Sequence, residues 1–472
     1  MTIERFYLAC LSHASYIVAD GGEAAVIDPQ RDVNVYLDYL RRHGLTLKYV
    51  IETHLHADFV SGHLELARRT GAEVVIGHRA AAAFPHRGVV EGDELALGHV
   101  TLKIRETPGH TPEGITIEAR NGRMPGEPVA LFTGDTLFAG DVGRPDLLDA
   151  VGITKEDLGG MLYDSLREKI MAYPDETRIY PAHGAGSSCG KDLRDVEFST
   201  IGAEKLTNYA LQPMSREEFV RVVTQGQPEA PAYFSSDAGI NRQGAPELGE
   251  VMAGVRRLSP AELADAVTHG AVLLDTRDPE EFSRGFIPGA VNIGLDGQFA
   301  SWVGTLLPIG SPLVIVAPAG REDESVLRCA RVGYDNVIGC LDGGFGAWRN
   351  EGRDVDDFGR VEPEELLRSM EGEPAPLVLD VRREGEHMAQ SIPGAAFVTL
   401  SAIGRYAGSL KADGRPVIVH CAGGYRSAMA ASILKKSGVA DVRDLRGGLA
   451  AWKRQGLPVR EQSVGEGLMD GR

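Results

Sequence analysis

Short apolar runs at Tyr16–Asp20 and Glu23–Ile27 flank Gly21-Gly22, which marks a hairpin between two strands. Val35–Arg42 predicts a helix stopped by Gly44, and Leu47–Glu52 an apolar strand. Val60–Thr70 predicts a helix stopped by Gly71, with a strand at Glu73–Ile76 after it. Further strands are expected at Val100–Glu106, Val129–Thr133 and Arg178–Tyr180. Pro213 and Ser215 open a short helix, and Ser215 with Glu218 forms a capping-box pattern. Gln225–Gly249 is rich in Gly, Pro, Ala and Gln and has no period, so it reads as an inter-domain linker.

From Ser259-Pro260-Ala261-Glu262, a strong helix start, the chain repeats itself. Leu274-Asp-Thr-Arg277 returns as Leu379-Asp-Val-Arg382, and Ile287-Pro-Gly-Ala290 as Ile392-Pro-Gly-Ala395. Leu341-Asp-Gly-Gly-Phe-Gly-Ala-Trp348 returns as Leu445-Arg-Gly-Gly-Leu-Ala-Ala-Trp452. Order and spacing are kept over three motifs, which chance does not do, so this half is a tandem domain. Each copy alternates apolar strands with helices and predicts a small parallel α/β unit. The expected domains are 1–250, linker included, then 255–356 and 358–462.

Composition agrees with that count: 472 residues at roughly 150 per domain give about three. Lys plus Arg number 49 against 67 Asp plus Glu, a net charge of −18. That argues against nucleic acid or an anionic membrane as partner, though not against a local anion pocket. No apolar run is long enough to span a membrane. Met1-Thr-Ile-Glu-Arg-Phe6 lacks the basic and apolar regions of a signal peptide. The five cysteines, Cys10, Cys189, Cys329, Cys340 and Cys421, form no CxxC pair, and a reducing cytoplasm is expected. The 58 glycines follow no Gly-X-Y period, and they predict tight turns and loops that approach ligands through backbone.

Metal-ligating residue types recur at strand ends. Thr53-His54-Leu55-His56-Ala57-Asp58-Phe59 follows the strand at Leu47–Glu52. His54 and His56, two apart, are expected to point the same way, with Asp58 behind them. His110 stands in Thr107-Pro-Gly-His-Thr111, Asp135 in Thr133-Gly-Asp-Thr136 and His183 in Tyr180-Pro-Ala-His-Gly184. Any one such His is more often a satisfied structural residue; the series points to a metal centre.

The HxHxD stretch, followed in order by His110, Asp135 and His183, resembles the metallo-β-lactamase fold over residues 1 to about 210. The resemblance implies an αββα sandwich with metal at one rim. Two-metal thioester hydrolases of this fold, such as glyoxalase II, carry HxHxDH. Phe59 stands where their last His would, and a phenyl ring cannot ligate. The sequence is more similar to the persulfide (sulfur) dioxygenase branch. That resemblance implies one Fe(II) per metal domain, held by His54, His110 and Asp135, with positions open to O2 and substrate. Zinc is the metal expected to replace it in a recombinant sample. His56, Asp58 and His183 would then orient ligands or bond to metal-bound water, with His56 left open as a fourth ligand. Gly134–Asp146 is also similar to that branch, so Arg144 and Asp146 are expected to shape the site, by a loop-fixing ion pair or by touching substrate. Cys189, in Gly186-Ser-Ser-Cys-Gly190, reads either as an auxiliary thiol at the pocket mouth or as a small buried residue. Cys10, Cys329 and Cys340 sit in apolar contexts that predict packing.

Pro416-Val-Ile-Val-His-Cys421 is an apolar strand ending in a cysteine; Ala422-Gly-Gly-Tyr-Arg426 follows, then a helix over Ser427–Ser437 ending at Gly438. A thiol at a helix N-terminus has its thiolate stabilised by backbone N–H groups, and Gly423 and Gly424 let the loop curl with its amides inward. The loop resembles that of rhodaneses (sulfurtransferases), and the whole second copy fits that family. Cys421 and Arg426 are the catalytic pair this implies, with Ala422, Gly423, Gly424, Tyr425 and Ser427 cradling the substrate. Four residues separate Cys421 from Arg426, one fewer than in phosphatases of the same fold, which suits a persulfide sulfur better than a phosphate. In the first copy Pro318 stands where Cys421 does, and Glu322, Asp323 and Glu324 follow, so that copy is expected to be inactive.

Together the resemblances imply a bifunctional sulfur enzyme. Its small-molecule partners would be a thiol persulfide, O2, and thiosulfate or sulfite, with a homo-oligomer left open. The rival readings are a thioester hydrolase fused to a sulfurtransferase and a sulfur-carrier or scaffold protein.

Overall fold

A computed structural model of the chain describes residues 1–124, 126–147, 152–227 and 230–461, so the expected end of the third domain at 462 lies outside the described residues. Two units separate. One comprises Met1–Ala253 with Leu327–Asp335, the other Gly254–Val326 with the residues from Asn336 onward.

In the first unit, six strands from Thr2–Leu8 to Arg87–Val89 hydrogen-bond in sequence order. Six more, from Glu94–Leu97 to Ser199–Thr200, form a second sheet, also in order. Side chains alternate across a strand, and the sequence uses both faces. Tyr16 and Val18 point inward with Ile51, Val75, Leu102, Ile117 and Phe132, and this core lies between the sheets. Ile17 and Ala19 point outward and pack with Tyr36 and Leu40 of the helix Asn34–His43 and Leu66 of the helix His63–Thr70. On the far side, Leu131 and Ile179 pack with Leu162 and Phe219 of the helices Lys155–Asp164 and Arg216–Thr224. The result is the αββα sandwich.

Two sequence expectations change here. The helix expected from Val60 begins at His63. Ser61 is tied down first, its hydroxyl 2.5 Å from Glu52 Oε1 and 2.9 Å from the Pro29 carbonyl. Gly62 lies so close to the Gln30 carbonyl that a Cβ would approach it to 2.4 Å. The stretch read as a linker, Gln225–Gly249, instead holds a helix at Phe234–Gln243 with Phe234, Asp237 and Asn241 buried. It lacked a visible period because what it buries is partly polar.

The second unit contains the two repeats. In each, five strands pair in the order first, fifth, fourth, second, third, and every pairing is parallel. The repeated Asp-x-Arg closes an identical ion pair in both: Arg277 on Asp275 and Arg382 on Asp380, each with Nη2 to Oδ2 at 2.6 Å. The repeated Trp donates from its indole to the carbonyl of Asp354 in one copy and of Pro458 in the other. Among the described residues no helix is long and apolar enough to cross a membrane.

Candidate metal centre and thiol loop

The strand Thr46–Glu52 ends where Thr53 is fixed by Asp28, its N–H on Oδ1 at 2.7 Å and its hydroxyl on Oδ2 at 2.9 Å. That anchors His54, whose Nδ1 lies 3.0 Å from the Thr53 hydroxyl. The opposite nitrogen, Nε2, faces Asp135 Oδ2 at 3.8 Å. His110 is oriented likewise: its Nδ1–H donates to the Arg144 carbonyl at 2.8 Å, and Nε2 lies 3.4 Å from the same Asp135 oxygen. A histidine that donates from Nδ1 presents a lone pair at Nε2, as a metal ligand must. Asp135 is delivered by Gly134, at φ +50°, where a Cβ would also meet Thr53 Oγ1 at 2.5 Å. Gly143 lets the next loop close over the site; a Cβ there would stand 2.0 Å from the Asp135 carbonyl.

His54, His110 and Asp135 form one buried group whose ligand atoms lie within 4.8 Å of one another. Asp135 Oδ2 is buried and has no hydrogen-bond partner, although two imidazole nitrogens face it. An orphaned carboxylate oxygen is costly, and a cation between the three donors would satisfy it. The residues therefore fit a metal. Burial and the neighbouring His56 hold His54 well below the ordinary histidine range, so it keeps its lone pair. Burial opposes the charge on Asp135, but His183, His54 and His110 around it hold the carboxyl well below its usual range.

His54 and His56 lie side by side, ring centroids 4.2 Å apart, but their nitrogens join different donor groups. His56 Nε2 turns to Asp28 Oδ1 at 3.2 Å and Glu52 Oε2 at 3.5 Å, a second buried group. Burial works against its charge, but Asp28 and then Glu52 raise His56 to about 9. Phe59 packs between the rings of His13 and His56, with centroids at 4.0 and 4.4 Å. His183 bridges two carboxylates, with Nδ1 2.8 Å from Asp135 Oδ1 and Nε2 2.8 Å from Asp58 Oδ2. Cys189 joins Asp58 and His183 in a third group. It is buried rather than set at a pocket mouth, and burial with Asp58 and Asp135 pushes its thiol well above the ordinary range. Arg144 carries a two-pronged ion pair to Asp146, both contacts 2.8 Å, and a bond to the Ser188 carbonyl. That is the loop-fixing arrangement of the two expected for it.

Several contributors were missed in the sequence. Asn241 accepts from the Ser61 N–H and donates to the carbonyls of His56 and Phe59, all at 2.8 Å, fastening the histidine loop. Tyr233 donates to the Asp58 carbonyl at 3.2 Å. The signal was one Asn inside an apparent linker. Asp28 and Glu52 announced themselves only as charges closing apolar strands.

In the second unit Cys421 ends the strand Val417–His420 and precedes the helix Tyr425–Lys436. The Gly424 N–H points at Sγ at 3.1 Å and the Ser427 hydroxyl lies 3.4 Å from it. Gly448 passes so close that a Cβ would meet the Cys421 carbonyl at 2.4 Å. Arg426 makes a two-pronged pair with Glu386 at 2.6 and 2.8 Å, a partner the sequence did not reveal. Where Pro318 replaces the thiol, Arg321 is held by Asp296 and Glu324.

His420 gives a pH prediction. Burial drives its pKa down to about 4, against the pull of Asp380. A base depressed in the folded state binds fewer protons there than when unfolded. It contributes stability above its unfolded value of 6.5, and the contribution is lost as pH falls towards 4. The gap corresponds to about 3 kcal/mol. Urea unfolding of the second unit followed between neutral pH and pH 4 should show that loss, and His420→Asn should flatten it. An unchanged pH slope in the variant would remove His420 as the cause.

Fold and site together define an αββα sandwich with a buried His/Asp group able to hold a metal, followed by two parallel α/β domains, one of them bearing a thiol loop. Residues 8–183 match the metallo-beta-lactamase superfamily, and 259–351 and 362–455 match the rhodanese-like domain. The mitochondrial persulfide dioxygenase of Bos taurus is 33% identical over 217 residues, covering 44% of this chain and 75% of that protein. A hydroxyacylglutathione hydrolase from Rhodospirillum rubrum is 31% identical over 223 residues, 47% of this chain and 77% of that protein. A crystal structure of a metallo-beta-lactamase from Staphylococcus aureus subsp. aureus COL is 30% identical, with a TM-score of 0.65, covering 72% of this chain and 98% of that one. The chain belongs to the metallo-beta-lactamase superfamily and carries two rhodanese-like domains behind its metal domain. It is an enzyme of that fold.

Proposed function

We propose that the metal domain oxidises a low-molecular-weight thiol persulfide and that Cys421 carries sulfane sulfur. The overall reaction of the first site is RSSH + O2 + H2O → RSH + SO3(2−) + 2H+. The observation that carries this reading is that His54, His110 and Asp135 form one donor group while His56, beside His54, turns its Nε2 to another. Two histidines and one carboxylate converge, while the remaining histidine is committed to Asp28 and Glu52. His54, His110 and Asp135 would hold one Fe(II), which would supply the redox chemistry between a persulfide sulfur and O2. The protein's own part is orientation. The Thr53 hydroxyl and the Arg144 carbonyl fix the two imidazoles, and His183 braces Asp135. Similarity to the bovine persulfide dioxygenase supports the same reading.

At the second site the Cys421 thiolate attacks the outer sulfur of thiosulfate. The S–S bond breaks, sulfite leaves, and Cys–S–S(−) remains; sulfite running the step backwards restores the thiolate. The Gly424 N–H and Ser427 hydroxyl face the sulfur that carries the charge. Sulfite, the product of the first site, is thus a reactant of the second.

Similarity to a hydroxyacylglutathione hydrolase supports a second reading, thioester hydrolysis. Phe59 and the diverted His56 weigh against it, since both remove ligands that a two-metal centre needs.

Metal analysis of protein made without added metal, with oxygen uptake on a panel of thiol persulfides, tests the proposal. One iron per chain and oxygen consumption are expected. Two tightly bound zinc ions, no oxygen uptake and anaerobic release of thiol from S-lactoylglutathione would favour the hydrolase. His56→Gln should keep its iron and lose stability, by about 3 kcal/mol, because Asp28 and Glu52 are left without their counter-charge. Loss of iron from that variant at unchanged stability would make His56 a ligand.

A further inference from the structure

The copy with Pro318 in place of the loop thiol reaches the loop that has one. Tyr425, inside the Cys421 loop, sends its side chain out of its own copy. The hydroxyl donates to the Gly294 carbonyl of the first copy at 2.6 Å. The ring lies against a turn shaped for it. Gly297 sits at φ +140°, and a Cβ there would come within 2.9 Å of the Tyr425 ring; one on Gly294 would stand at 3.4 Å. Further along the same helix, the Ser432 hydroxyl accepts from the Asn292 N–H of the first copy at 3.0 Å.

A second contact ends at the same place. Glu280 of the first copy pairs with Arg360 and, at 3.2 Å, with Arg446 of the second. Arg360 is also held by the buried Asp444, at 2.8 and 3.0 Å. Its guanidinium lies 3.3 Å from where a Cβ on Gly424 would stand. Gly424 is the residue whose N–H points at the Cys421 sulfur. So one contact from the first copy lands on Tyr425, and a second on Arg360, which stands beside Gly424.

We propose that the first copy is the positioning element of the Cys421 loop, with Tyr425 as the positioning residue that transmits it. The loop needs one. Gly423 and Gly424 leave its backbone free to turn, and an N–H that swings away from sulfur no longer stabilises the thiolate. Clamping Tyr425 and backing Gly424 with Arg360 keeps the Gly424 N–H on the attacking sulfur. A copy that lost its thiol is retained because its neighbour's loop is built on it. The proposal rests on the reading of Cys421 as a sulfur acceptor.

The test uses the full chain and thiosulfate. Tyr425→Phe keeps the ring and removes the hydrogen bond. Gly297→Ala acts from the first copy, by adding the Cβ that meets the ring. Single-turnover loading of Cys421, read by mass spectrometry as a function of pH, is measured with steady-state kcat and KM. Each variant should load sulfur about 3- to 10-fold more slowly at neutral pH, the span of one lost hydrogen bond. The pH profile should move upward and the KM for thiosulfate should change little. The double variant should fall no further than the worse single one, since both act through one contact. Should Gly297→Ala fail to fold, Glu280→Gln takes its place with the same slowing expected, and, because its contact is a separate one, the double variant with Tyr425→Phe should show the sum of the two effects. Wild-type rates and an unmoved pH profile in the variants would overturn the positioning role. A wild-type chain that never loads sulfur would overturn the acceptor reading of Cys421 and the proposal with it.

Discussion

Asp135→Asn protein should purify with less than about a tenth of the wild-type iron and consume no measurable oxygen with any thiol persulfide, while loading sulfur at Cys421 at the wild-type rate. Asp135 is the group on which the first site converges. One of its oxygens braces His183 and the other faces His54 and His110. An amide keeps the shape but not the charge, and a divalent ion among two neutral imidazoles and an amide loses its only anionic donor. The same change leaves His183 facing one carboxylate, Asp58, instead of two. Metal content by mass spectrometry, oxygen uptake and sulfur loading on one preparation separate this from general unfolding. Iron and oxygen uptake retained in the variant would place the metal elsewhere, and the Asp58, His183 and Cys189 group would be the next to examine.

What could be read in the sequence follows from range. His54, His110, Asp135 and His183 stood out because each closes a strand beside Gly or Pro, a local pattern. The repeats stood out because three motifs return at one spacing. Residues two apart on a strand share a face, and the rings of His54 and His56 do lie together, centroids 4.2 Å apart. The division of their nitrogens between two donor groups was not legible. What draws His56 Nε2 away are Asp28 and Glu52, strand-end carboxylates beneath it. Asn241 was hidden for a related reason. Its value is three hydrogen bonds to backbone some 180 residues away, which no period records. The clamp on Tyr425 needs the packing of one repeat on the other, which the similarity of the repeats does not express.

Cys421→Ser should lower thiosulfate sulfur transfer by at least about 1,000-fold and leave oxygen uptake on persulfide unchanged. The substitution is nearly isosteric, so the loop survives it: the Leu449 N–H to the Cys421 carbonyl at 2.8 Å does not depend on sulfur, and a serine hydroxyl can accept from the Gly424 N–H in place of Sγ. What is lost is the nucleophile. A hydroxyl does not ionise near neutral pH as a thiol can, and an oxygen cannot carry the transferable S–S bond on which turnover depends. None of the other three buried thiols is placed to substitute. Burial pushes Cys340 up to about 12. Cys329 is fully buried in the first copy, in a helix whose first turn carries Glu322, Asp323 and Glu324. Cys189 is buried beside two carboxylates that oppose its thiolate. If the variant kept its transferase activity, the partly exposed Cys10 or the buried Cys189 would be the carrier, and only for Cys189 should Asp135→Asn, by removing one of those carboxylates, raise transfer. Silence of transfer in Cys421→Ser with unaltered oxygen consumption instead makes the two chemistries separable on one chain, with sulfite passing between them as product of one and reactant of the other.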